Sequence, residues 1–138
     1  MTDVSSPQRI DFLKKNLRLW VLCGYWMMLF VSTHLPPDKI KDLPKNSDKL
    51  AHFSGYAFLA FLLGFWLCRK KPFDFKTAIT VIGILFFYAI IDELLQIPVG
   101  RDCDFFDMLA DWIGCLIGLG CLWGFFRFKR QPIASLDP

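Results

Sequence analysis

The sequence predicts an all-α integral membrane protein, a bundle of four transmembrane helices joined by short loops. Three observations predict it. Hydrophobic residues fill 54% of the 138 positions, above the ~45–50% of a soluble domain even with glycine counted. The excess falls into four blocks with short charged stretches between them, the pattern of repeated bilayer crossing. Each block is close to the ~20 residues that cross ~30 Å of hydrocarbon at a rise of ~1.5 Å.

The elements follow in order. Residues 1–16 are polar and form a cytoplasmic N-terminal segment, poorly ordered at its start. The transmembrane domain spans 17–126. Its first block runs from Leu17 to about Leu35 and holds Trp20, Tyr25, Trp26, Met27, Met28 and Phe30. Pro36-Pro37 ends it, because proline lacks a donor and clashes with the preceding turn. The block is long for a signal-peptide core and has no small-residue cleavage site, so it reads as a retained helix. Asp38 to Asp48 is a charged connector containing Pro44. The second block runs from about Lys49 to Cys68 and closes on Arg69-Lys70-Lys71-Pro72. The third, from about Phe75 to Ile97, is broken by Pro98-Val99-Gly100. The fourth runs from about Phe105 to Phe126, and residues 127–138 form a cytoplasmic tail carrying Arg127, Lys129 and Arg130.

Cationic residues set the orientation. One side collects Arg9, Lys14, Lys15, Arg18, Arg69, Lys70, Lys71, Lys76, Arg127, Lys129 and Arg130. The other collects Lys39, Lys41, Lys45, Lys49 and Arg101. The richer side is assigned to the cytoplasm, which places both termini there in the inner (plasma) membrane. The net charge of +3 does not imply nucleic-acid binding, since the basic residues flank apolar blocks instead of forming a water-facing patch. The five cysteines make no CxxC pair, which argues against a disulfide framework or a thiolate zinc site.

Ionisable residues cost ~2.5–3.5 kcal/mol each near the centre of a membrane helix, so their positions carry information. Lys49, His52 and Tyr56 share one face of the second helix. Asp92, Glu93 and Gln96 close the third. Asp104, Asp107 and Asp111 open the fourth, and their stripe continues into Gly114 and Gly118, small residues that let a neighbouring helix approach. Alternating helix direction brings these three segments, with Arg101, to one membrane level, the outer one. The glycines Gly114, Gly118, Gly120 and Gly124 read as packing residues.

The segments SDKLAHFSGYAFLAFLL (47–63), IIDELLQIPVGR (90–101) and DFFDMLADWIGCLIG (104–118) carry a resemblance. With all three in order on matching helix ends, the chain resembles the VanZ-like family of bacterial membrane proteins, named for a glycopeptide (teicoplanin) resistance protein. The resemblance implies Asp48, Lys49, His52 and Tyr56, then Glu93, Gln96 and Arg101, then Asp107 and Gly114 as family positions. The family pattern has Asn where this chain has Asp111, so this carboxylate needs a partner or a proton. Lys49 and Arg101 are the candidates.

Two readings of the cluster stand side by side. In one, His52 is a general acid or base, aided by Glu93 or Asp107, while Asp48, Lys49, Tyr56, Gln96, Arg101 and Asp111 bind ligand. In the other, His52 ties helices together by hydrogen bonds. Arg101 suits a phosphate or carboxylate, or an internal pair with Glu93 or Asp107. The carboxylates with His52 could hold a divalent metal, but no HExxH-type spacing supports one, and no cofactor is expected. The expected partner is a membrane lipid or a lipid-linked envelope ligand at the outer leaflet, and the resemblance implies a link to glycopeptide antibiotic resistance. A membrane hydrolase or transferase using the same cluster, or a structural assembly protein, are the alternatives. Oligomeric state is open.

Overall fold

The computed structural model describes residues 6–36 and 47–129, with side chains from residue 16 onward. The described residues form four α-helices and no strand: α1 (Ser6–Thr33), α2 (Ser47–Leu67), α3 (Phe75–Gln96) and α4 (Phe105–Lys129). The connector lysines Lys39, Lys41 and Lys45 and residues 130–138 lie outside the described residues, as do the side chains of Arg9, Lys14 and Lys15.

Helix α1 begins at Ser6, well before Leu17, where the apolar block starts. Pro7 sits in its first turn, where a missing N–H is tolerated. Three helices are long and apolar enough to cross a membrane: α2, α3 with the turn after it, and α4. This differs from the expected four. In α1, Asn16 and Arg18 at one end, Ser32 and Thr33 at the other, and Trp20, Tyr25 and Trp26 between them dilute the apolar stretch.

The loops are short and specifically closed. Asp74 caps α3 by accepting from Thr77 N at 2.8 Å and Thr77 Oγ1 at 2.6 Å, satisfying donors that a helix start leaves unpaired. Pro98 leads the chain into a single 3₁₀ turn, Ile97–Val99. Gly100 then takes φ 81°, the left-handed conformation that glycine adopts without a Cβ penalty.

The core is an apolar seam of Leu59, Ala60, Leu63, Val81, Leu85, Ala89, Leu119 and Leu122. The most extensive contact joins α2 to α4. Gly114 and Gly118 make it possible, because a Cβ on either would fall on the backbone of Phe53 or Ala57 of α2. The expected inward stripe on α4 is therefore present through these two glycines. Gly120 and Gly124 differ: a Cβ on either would meet open space. Large apolar side chains such as Met27, Phe58, Phe87 and Ile117 point outward, as a lipid solvent permits.

Candidate functional site

At one end of the bundle the start of α2, the end of α3 and the start of α4 converge, as their spacing predicts. His52, Tyr56, Asp92, Glu93, Gln96 and Asp111 are at most 1% exposed, and Asp107 is also buried. Around them lies a half-exposed rim of Asp48, Lys49 and Asp104. Turns of 3.6 residues explain the grouping: His52 and Tyr56 stack one turn apart on α2, and Asp107 and Asp111 do so on α4.

The rim is held by ion pairs. Lys49 Nζ donates to Asp104 Oδ2 at 2.6 Å and to Asp107 Oδ1 at 2.8 Å. Arg101, turned back by Gly100, donates from an Nη to Asp48 Oδ2 at 2.6 Å. Neither cation reaches Asp111, which corrects the expectation that Lys49 or Arg101 would neutralise it. Arg101 also pairs with Asp48, not with Glu93 or Asp107, because the 3₁₀ turn carries it across to the start of α2.

His52 is the partner of Asp111, with Nδ1 and Oδ1 3.0 Å apart. Glu93 Oε1 follows at 3.9 Å from the same nitrogen. The nearest carboxylate to the imidazole is thus Asp111, ahead of the expected helpers Glu93 and Asp107. The amide oxygen of an Asn in the family's position could also accept from Nδ1–H, so this contact does not itself require a carboxylate. Glu93 itself ties two segments: Gln96 Nε2 donates to Oε1 at 3.1 Å, and the Asp104 amide donates to Oε2 at 3.0 Å.

Asp104 also caps α4, accepting from the Phe106 amide at 2.8 Å. The Lys49 ammonium, and then the Phe106 amide, hold its carboxyl below the ordinary 3.8. A carboxylate depressed in the fold stabilises it above the unfolded value, and that contribution fades as pH falls through the folded value. Asp104→Asn should therefore flatten the loss of stability between about pH 5 and about pH 2, read as thermal unfolding in detergent. An unchanged slope would remove Asp104 from the acid response.

Sequence reasoning missed a contribution from α1. Thr33 Oγ1 lies 3.4 Å from Asp92 Oδ1, and His34 Nδ1 lies 3.8 Å from the same oxygen. His34 Nδ1 is also 2.8 Å from the Phe30 carbonyl, which only accepts, so this nitrogen carries the proton. The available signal was Ser32-Thr33-His34, a polar triplet closing an apolar block on the level where the second helix opens.

A family model described as VanZ/LLP1 matches residues 5–127. The match takes in α1 to α3, α4 as far as Arg127, and the whole polar cluster. The chain belongs to the VanZ/LLP1 family. No curated protein and no solved structure matches the chain significantly. As a VanZ/LLP1 protein with three apolar helices of membrane-crossing length, it is a VanZ-like membrane protein. Chemically, its cluster offers a buried imidazole among carboxylates, an arrangement suited to moving a proton or holding a cation.

Proposed function

We propose that this VanZ-like chain crosses the bacterial inner membrane four times and binds or acts on an amphiphilic or lipid-linked envelope ligand at the outer leaflet. Three contacts support α1 as the fourth span. Arg18 stands at the Phe65 carbonyl, Tyr25 donates to the Gly55 carbonyl, and Thr33 meets Asp92. From Arg18 to Thr33 the helix rises ~22 Å, so α1 runs beside its neighbours for most of a bilayer's depth. Both termini are cytoplasmic in this reading, since Arg18, Arg69, Lys70, Lys71, Lys76, Arg127 and Lys129 share the end opposite the cluster.

The observation that carries the ligand reading is an apolar cleft that starts one helical turn from the rim residue Lys49. The cleft, about 420 Å³, lies between α2 and α4 and is lined by Phe53, Ser54, Ala57, Phe61, Gly118 and Cys121. Phe53 sits one helical turn beyond Lys49. A headgroup at Asp48, Lys49 and Asp104 would thus lie directly above an acyl chain in the cleft. His52, Glu93 and Asp107 stand behind the rim, where a hydrolase or transferase would use them, and Asp48, Lys49, Tyr56, Gln96, Arg101 and Asp111 surround them. Protection against glycopeptide antibiotics is the cellular effect we attach to this binding. The closed ion pairs of the rim favour, as a second reading, a structural role in membrane assembly.

The test is expression in a glycopeptide-susceptible bacterium. The wild type should raise the tolerated concentration of a lipoglycopeptide. His52→Ala and Glu93→Ala should return it to the vector level at equal amounts in the membrane. Alanine variants that protect as well as wild type would leave the cluster a structural role alone.

A further inference from the structure

Deepest in the cluster, three carboxylates are fully enclosed: Asp92, Glu93 and Asp111. Among the described residues their ion-pair partners are only His34 and His52. Lys49 is taken up by Asp104 and Asp107, and Arg101 by Asp48. Buried charge of one sign demands compensation, by protons or by a cation. Of the buried polar atoms here that lack a hydrogen bond among the described residues, two bear on the site. One is Asp111 Oδ2. The other is the Tyr56 hydroxyl, fully enclosed one turn beyond His52, with Asp111, Asp92 and Glu93 as its charged neighbours.

The geometry fits an ion. His52 Nδ1 stands 3.0 Å from Asp111 Oδ1 and 3.9 Å from Glu93 Oε1, and the three ligand atoms lie within 4.8 Å of one another. Ligands ~2.1 Å from one octahedral ion stand ~3.0 Å apart at right angles and ~4.2 Å apart when opposite. Sub-ångström rotation of the side chains closes the remainder. We infer that His52, Glu93 and Asp111 form a site for a divalent transition-metal ion, enclosed between α2, α3 and α4. One imidazole with two carboxylates suits Mn²⁺ or Zn²⁺ better than Mg²⁺ or Ca²⁺, which prefer oxygen alone. Binding releases the Nδ1 proton of His52 to solvent. Asp111 Oδ2 and the Tyr56 hydroxyl remain beside the ion as further acceptor and donor. The assignment goes beyond the amphiphile reading and needs no lipid ligand.

The experiment is Mn²⁺ titration of the full chain in detergent after chelator treatment, followed by electron paramagnetic resonance. Wild type should bind one Mn²⁺ per chain, and the bound ion should show coupling to a ¹⁴N nucleus. Glu93→Gln and Asp111→Asn should bind about tenfold more weakly or worse. His52→Gln should lose the nitrogen coupling, and Asp102→Asn, an exposed acid outside the site, should bind as wild type. Helix content by circular dichroism reports whether each variant is folded. Folded wild type without saturable binding overturns the assignment, and so do folded Glu93→Gln and Asp111→Asn variants that bind as wild type. Because no lipid is present, either result leaves the antibiotic-tolerance test unaffected.

Discussion

Replacing His52 with alanine should destabilise the fold by about 3–5 kcal/mol, the range for breaking a buried ion pair from one side. The cost comes from what remains. Asp111 loses the donor 3.0 Å away and is left fully enclosed, with Lys49 and Arg101 held elsewhere by Asp104, Asp107 and Asp48. Asp111→Asn should cost clearly less, since an amide oxygen still accepts from Nδ1–H and no charge is stranded. The double variant His52→Ala/Asp111→Asn should recover part of the loss. Denaturant unfolding of all four proteins in the same detergent gives the coupling energy. Additive losses would mean that the pair does not interact in the folded protein.

The second large effect lies in the seam of α2 and α4. Gly118→Ala adds one carbon, and that carbon falls on the carbonyl of Ala57. Backbone cannot swing aside as a flexible side chain can, so the two helices must separate along their length. Overpacking of this kind costs roughly 2–3 kcal/mol. Gly120→Ala, whose added carbon meets open space, serves as the comparison and should be neutral or slightly stabilising, because alanine is the better helix former. Thermal unfolding of the two variants separates close approach from helix propensity. Equal melting temperatures would show that α2 and α4 are not packed through Gly118. The same contact lines the cleft proposed for the acyl chain, so a folded Gly118→Ala protein should also bind amphiphile less well.

Composition and spacing determined much of this protein. Four apolar blocks became four helices, with turns at the Arg69–Pro72 and Pro98–Gly100 breaks. Spacings of three and four brought His52, Glu93, Asp107 and Asp111 to one level, because helix periodicity is local and direction alternates at every turn. Pairing was not legible. Which cation meets which carboxylate depends on where the 3₁₀ turn throws Arg101 and how close Gly114 and Gly118 let α4 approach α2, and both are set by contacts between residues far apart in the chain. The entry of Thr33 and His34 beside Asp92 was hidden for the same reason: a sequence displays which face of a helix is polar, while only packing decides which neighbour that face meets.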